Sequence, residues 1–541
     1  MNTINAAWPQ HLTVSVDQGC TAETESSISG WVLGLEAMSR LSDCCGPRAI
    51  EKASYFRGQG GLAALMRTGT EPVFKACPPP VRTRSGGRWI LPRVHVVNPG
   101  RAEEIADLWV DGGRIVALKA PGSAVDPGFE MLHDTAGRWV MPGLIDMHAH
   151  LPSHNVLNLM PHFMRMFVAH GVTGLREAGD VDGTVPAALH SWQQTPGHFM
   201  PRLARAHSFV GRPPFRWKNS LAYRAPEDAP GIVSRLMDAG AQCIKLYENL
   251  KTDDIRVLQE QAERAGLVVM GHVPTALTLE NAGIRDTQHF FGVPPPHTLR
   301  RDHVFSRTAD WHAVDERRLE AVAAHCERHR LANTPTLAIS SGLLGYRDYD
   351  LARQQLLGAM PSFFGDVVWD PAIGLPAYRH LQAQDLDALG DALEKKKRLV
   401  RELFARGCAV FPGTDTLQPF CVPGVSLHRE LGLFVEAGLS PTQALKAATV
   451  DAADRLGWSD SGRIAVGCRA DLIVLGEDPA RDLKALRTMK QVVLDGVVHE
   501  VSALRSDIAA DLAHRETAFR RVASRVLARL AMRRAARRFI G

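Results

Sequence analysis

Two histidines one residue apart, His148 and His150, close the apolar run Val140-Met-Pro-Gly-Leu-Ile-Asp-Met-His148-Ala-His150. On a strand, residues i and i+2 project to the same side, so the two rings would leave the strand end together, as two ligands of one metal ion should. Alone, the pair is equally compatible with surface or core histidines in a chain that has 22 of them. Other apolar runs end in or carry chemistry of the same kind: Lys245 in Gln242-Cys-Ile-Lys-Leu-Tyr, His272 in Val268-Val-Met-Gly-His, His289, and Asp415 in Phe411-Pro-Gly-Thr-Asp. If these runs are strands of one barrel, four imidazoles and a carboxylate converge at one opening. That donor set suits a divalent first-row metal, zinc foremost.

Lys245 has two readings. An ammonium at the end of an apolar strand, facing cations, is disfavoured by desolvation and by charge. A neutral amine could react with carbon dioxide to give an anionic carbamate, whose two oxygens could bridge metals about 3.5–4 Å apart. The alternative is a lysine that snorkels outward or pairs with Glu248.

The elements that must position these residues follow from the hydrophobic pattern. Eight candidate strands alternate with helical segments: Leu144–His148, Gly171–Glu177, Leu203–Phe209, Cys243–Tyr247, Val268–His272, Thr287–Phe291, Asn333–Leu337 and Ala409–Asp415. The helical segments include Asp253–Ala265 and Glu316–His329. This alternation predicts a (β/α)8 TIM barrel over 146–457, with chemistry at the C-terminal ends of the strands. An insertion at 340–405, helical over Asp385–Arg406, is expected to cover the mouth. Short strands around Trp89-Ile-Leu, Val94-His-Val-Val, Leu108-Trp-Val and Arg114-Ile-Val-Ala-Leu are matched in style by Asp471-Leu-Ile-Val-Leu and Gln491-Val-Val-Leu-Asp-Gly-Val-Val. They predict a small β-sandwich domain built from 86–145 and 458–500. Residues 1–85 form an extension with no assigned role, although Ser29 to Leu41 could be helical and Lys75-Ala-Cys-Pro-Pro-Pro reads as a linker.

Composition narrows the class. At 541 residues, 45% hydrophobic and 22% charged, the chain has the make-up of a multidomain globular protein. It shows neither an apolar run of roughly 18 residues nor a signal-peptide start, and its nine cysteines form no Cys-x-x-Cys pair. A cytoplasmic protein with reduced thiols is expected. Cys20, Cys44, Cys45 and Cys77 match no common zinc spacing.

The net charge of +5 is concentrated at the end, where residues 501–541 hold ten arginines and three acids. The near-neutral body gives no sign of nucleic-acid binding. The tail has Phe519, Val522, Val526 and Leu530 at helical spacing among Arg521, Arg525, Arg529, Arg533 and Arg534. It reads either as a helix docked on its own protein or, over 515–541, as a weak contact for an anionic membrane or an acidic partner. A small-molecule substrate and a homo-oligomeric assembly are expected.

The motifs also resemble a known family. Pro142-Gly-Leu-Ile-Asp-Met-His-Ala-His looks like the first-strand motif of the amidohydrolase superfamily. Gly171-Val-Thr-Gly-Leu-Arg-Glu-Ala-Gly is similar to its second strand, with Glu177 where aspartate is more usual. Ile244-Lys-Leu-Tyr, Gly271-His-Val-Pro and Gly413-Thr-Asp-Thr resemble later motifs of its imidazolonepropionase-like and prolidase-like branch. The likeness runs through Val422-Pro-Gly-Val-Ser-Leu-His, Glu436-Ala-Gly-Leu-Ser-Pro, Ala444-Leu-Lys-Ala-Ala-Thr and Gly462-Arg-Ile-Ala-Val-Gly-Cys-Arg-Ala-Asp-Leu-Ile-Val-Leu, covering about 86–500. Asp286-Thr-Gln-His289 departs from it, with Gln288 where the branch often has glutamate.

The resemblance implies a binuclear metal centre. His148, His150 and Asp415 would hold one metal, His272 and His289 the second, and carboxylated Lys245 would bridge them. It implies hydrolysis of an amide, cyclic amide or dipeptide C–N bond by metal-activated hydroxide, with Asp415 as the proton carrier. Tyr247, two residues past Lys245, would stabilise the oxyanion or else pack at the rim. Arg176 could clamp a substrate carboxylate or pair with Glu177 or Asp180. His154, His162, His170 and His428 are expected to be structural or at the rim, with His154 and His428 the candidates for substrate contact. A mononuclear zinc deaminase is the alternative enzyme, although Val273-Pro274-Thr275 after His272 lacks the acid such enzymes carry. A barrel retained only as a binding scaffold is the non-enzymatic alternative.

Overall fold

The computed structural model describes residues 83–84, 87–153, 157–193, 199–300 and 304–539. The expectations for the segments at Ser29 and Lys75, for the four N-terminal cysteines and for His154 lie outside them.

Apolar runs and turn glycines generate a parallel ring of strands. Leu144–Ala149, Val172–Glu177 and Arg202–Arg205 pair side by side. Phe209–Gly211, Cys243–Leu246, Val268–Gly271, Asp286–Gln288, Ala332–Thr334 and Ala409–Val410 continue in parallel order. The ring closes where the Met147 N–H donates to the Pro412 carbonyl (2.9 Å) and the Asp415 N–H to the His148 carbonyl (2.7 Å). Gly413 permits that closure, since a Cβ there would lie 2.7 Å from His148 Cβ. Helices such as Thr252–Arg264, Glu316–His329 and Ala383–Ala405 follow the strands and bury one face each. This is a (β/α)8 barrel.

The strands are shorter than the apolar runs predict, for a backbone reason. His207, His289, Thr336 and Asp415 all adopt left-handed backbone, with φ of 62°, 64°, 50° and 51°. None of the barrel strands runs through these four residues. The predicted third strand therefore breaks at His207 into Arg202–Arg205 and Phe209–Gly211, the latter also pairing with Ser220–Ala222. The sixth and eighth strands stop before His289 and Asp415, and Leu337 begins a helix.

A nine-stranded sheet lies outside the barrel, its strands drawn from both flanks of the barrel segment. Trp139–Pro142 pairs in it with Leu472–Leu475 and leads directly into the first barrel strand. Trp89, Leu91, Val94 and Leu108 from the first flank share its core with Leu472, Val474 and Val493 from the second. Trp89-Ile-Leu and Val94-His-Val-Val are one strand, Trp89–Val96, with a register shift between Leu91 and Val94.

Segment 340–405 packs on the loop that follows Asp415. Tyr378 donates to Gln418 Oε1 (2.7 Å), Trp369 Nε1 donates to the Leu417 carbonyl (3.4 Å), and Trp369 and Tyr346 pack on Phe420. The helices Val501–Arg515 and Ala518–Phe539 dock on the protein through His162–Asp511, Ser362–Glu516 and Arg525–Asp366. The five described cysteines, 243, 326, 408, 421 and 468, are free thiols. No helix among the described residues is long and apolar enough to cross a membrane.

Candidate metal centre

The strand ends bring His148, His150, Lys245, His272, His289 and Asp415 into one buried cluster. His150 Nε2 lies 3.2 Å and His148 Nε2 3.7 Å from Asp415 Oδ1, and His289 Nε2 lies 4.0 Å from Oδ2. Lys245 Nζ is 3.5 Å from His148 Nε2, and His289 Nε2 is 3.1 Å from His272 Nε2. The ligand atoms of His148, His150 and Asp415 lie within 4.8 Å of one another, a candidate metal site.

Each ring is oriented through its other nitrogen. His148 Nδ1 meets Gln288 Oε1 at 2.6 Å, and His150 Nδ1 meets the Gly179 carbonyl at 2.7 Å. His272 Nδ1 faces Glu248 Oε1 at 3.2 Å. His289 Nδ1 meets Thr336 Oγ1 at 2.6 Å, a hydroxyl whose proton is already given to the Pro335 carbonyl. Gln288 donates its amide to Asp286 Oδ1 (2.6 Å), which leaves its oxygen for His148. All four Nδ1 atoms therefore face acceptors and carry the proton, and all four Nε2 lone pairs point inward. Two such lone pairs 3.1 Å apart, on His272 and His289, repel unless a cation lies between them. Asp415 Oδ1 is buried without a hydrogen-bond donor, an orphan that a cation would satisfy. The donor set fits a divalent metal.

Electrostatics favour the neutral ring at His148, His272 and His289 but not at His150. Burial, then the charge of Lys245 and its neighbours, holds His148 and His272 well below the usual imidazole range. Burial does the same for His289 against the pull of Asp415. Burial also opposes protonation of His150, but the Asp415 carboxylate raises it. Lys245 is brought down to about 7 by burial.

These positions decide several of the alternatives left open. Lys245 is fully buried and does not snorkel, and Glu248 turns to His272 and to Arg307 Nη1 (2.8 Å) instead. Arg176 pairs with neither Glu177 nor Asp180 and does not face the mouth. It is buried against Asp286 (2.7 Å), the Met147 carbonyl (2.7 Å) and Thr334 Oγ1 (2.9 Å). Arg455 also reaches Asp286, at 3.1 Å. His428 is turned away to the His170 carbonyl (2.8 Å), and His162 lies between Asp511 and the Ala359 carbonyl. Tyr247 stacks beside His272, ring centroids 4.5 Å apart, and its hydroxyl accepts from Trp217 Nε1 at 3.0 Å.

Thr336 and Glu430 are absent from the sequence reading. Thr336 gave no signal because it contacts His289 only when the sixth and seventh strands pair. Glu430 holds the turn in place by accepting the Leu337 N–H (3.0 Å) and the Ala338 N–H (2.6 Å). Burial lifts its carboxyl from 4.5 to about 8, against those two donors. A raised folded pKa contributes stability below the unfolded value that is lost as pH rises through the folded one. Urea melts at about pH 5, 7 and 9 should therefore show wild type losing stability relative to Glu430→Gln up to about pH 8 and running parallel above it. A pH-independent difference would show that the anion is held.

Residues 139–499, two thirds of the chain's length, match the amidohydrolase family. The chain belongs to the amidohydrolase family. Among curated relatives, this amidohydrolase is 45% identical over 84 residues to the imidazolonepropionase of Deinococcus deserti, spanning 15% of its own length and 21% of the relative's. It is 27% identical over 394 residues to adenine deaminase 2 of Rhizobium meliloti, covering 71% of its own length and 52% of the relative's. It thus spans about a fifth of one relative and about half of the other. Among solved structures, the amidohydrolase superposes on bottromycin amidohydrolase with a TM-score of 0.58 at 24% identity, over 84% of its own chain and 94% of the other. That likeness concerns the fold.

Proposed function

We propose that this amidohydrolase is a metal-dependent hydrolase of a C–N bond in an amide, cyclic amide or dipeptide. The observation that carries the reading is the set of four inward Nε2 lone pairs, each fixed by a partner on Nδ1, around an undonated carboxylate oxygen. In this reading His148, His150 and Asp415 would hold one zinc ion, His272 and His289 would hold a second, and Lys245, carboxylated, would supply the remaining anionic ligand. The only group in hydrogen-bond range of its buried amine, among the described residues, is His148 Nε2. Such a pair of cations, when bound, supplies an activated water and Lewis acidity toward a carbonyl oxygen.

The chain's own groups do the rest. Asp415 takes a proton from the attacking water and delivers it to the leaving nitrogen. Tyr247, held by Trp217, donates its hydroxyl proton to the oxygen that becomes anionic on the substrate. The insertion packed on loop 415–421 limits access to Asp415 from bulk water.

A second reading is deamination of an aminopurine, favoured by the long match to adenine deaminase 2. Metal analysis separates the possibilities: about two ions per chain supports the binuclear hydrolase, one supports the deaminase and none the scaffold. A turnover screen with N-acyl amino acids, Xaa-Pro dipeptides, cyclic amides and adenine is the companion test. Ammonia release from adenine alone would overturn the first reading.

Gln288 offers a further check. Gln288→Met removes the acceptor of the His148 Nδ1 proton and leaves that ring free to rotate. Metal affinity, read by competition with a chelator, should fall about 10–100-fold. Unchanged affinity would mean that packing alone orients His148.

A further inference from the structure

The terminal helix Ala518–Phe539 contains eight arginines and no acid. Its inner side is accounted for: Ala528 is buried, Met532 packs on the core, and Arg525 pairs with Asp366. Its outer side carries the exposed Arg529 and Arg533 together with two apolar side chains, Phe519 (47% exposed) and Val522 (52% exposed).

The neighbouring segment repeats the combination. Asp366 receives both Arg525 from the terminal helix and Arg353 (2.7 Å) from the helix Tyr349–Gln355. That bridge joins the terminal helix to the stretch carrying Leu351 and Leu357, which are 50% and 60% exposed. The acids of this region are engaged, Asp350 by Arg353 at 3.8 Å and Asp366 by both arginines. The outer arginines therefore face outward without nearby compensation among the described residues.

We propose that this composite face docks on an anionic phospholipid bilayer. Arginines beside solvent-facing apolar groups match an interface in which the apolar groups enter the headgroup boundary and the cations neutralise lipid charge. Three of the four apolar groups are aliphatic and have no ring to stack on a base, which weighs against a nucleic-acid partner.

The test is cosedimentation of the full chain with phosphatidylcholine vesicles and with vesicles containing phosphatidylglycerol. Binding to the phosphatidylglycerol vesicles is expected, with little to neutral ones and a decline as salt rises. R529E/R533E should weaken it by at least about tenfold and F519S/V522S should weaken it measurably at constant salt. Circular dichroism and thermal melting of both variants confirm that the fold persists. Four outcomes overturn the proposal: no vesicle binding, binding indifferent to lipid charge, binding unchanged in both folded variants, or tighter binding to transfer RNA than to anionic vesicles. A vesicle-free dimer that the charge-reversal variant dissolves would assign the face to a second copy and also overturn it.

Discussion

Asparagine at position 415 is expected to lower kcat by at least about 10³-fold while most of the metal stays bound. Asp415 is the carboxylate of the cluster, able to ligate through one oxygen and exchange a proton through the other. Burial opposes its charge, yet the surrounding imidazoles and Lys245 hold the carboxyl below its ordinary range. The amide of asparagine keeps an oxygen for the cation but cannot accept a proton, so the chemical step loses about 4 kcal/mol of transition-state stabilisation. Metal content should survive, because four imidazoles remain aligned by Gln288, Gly179, Glu248 and Thr336. The decisive measurement is kcat alongside metal stoichiometry. Parallel loss of both would make Asp415 chiefly a ligand.

Lys245→Ala is expected to reduce the metal content from about two ions per chain to about one and to lower activity at least about 10³-fold. The lysine is fully buried at the centre of the cluster, where burial makes its ammonium costly and brings the amine down to about 7. A carbamate replaces that cation by an anion with two oxygens. Short carboxylates such as acetate or propionate, filling the space left by the truncated side chain, should restore part of both metal content and turnover. Lys245→Arg should not recover either, because a guanidinium stays charged and cannot be carboxylated. In wild type, ¹³C-bicarbonate should label a carbamate carbon seen by NMR. Two metals and full turnover in Lys245→Ala would remove the bridging role altogether.

The clustered residues were legible because each stands in or at the end of an apolar run, where a barrel strand hands over to its loop. Runs such as Cys243–Leu246 and Val268–Gly271 say that a strand is there, and the polar residue that ends the run marks the mouth. Local pattern does not report where the backbone turns away. His207 and His289 look like strand continuations in sequence, but positive φ interrupts or ends the strands there, and the strands before Thr336 and Asp415 have already stopped at Thr334 and Val410.

Residue type and period, then, determined by themselves that a parallel barrel carries imidazoles, an amine and a carboxylate at one end. Only closure of the barrel decided what holds them, because the partners are far apart in the chain: His148 and Gln288 are separated by 140 residues, Arg176 and Asp286 by 110, Asp146 and Thr414 by 268. The same holds for the terminal helix, whose arginine spacing is local but whose inner and outer sides were assigned by Asp366. Periodicity is set by bonds between neighbours along the chain, whereas a proton's location on an imidazole is set by whichever acceptor the folded chain brings to its other nitrogen.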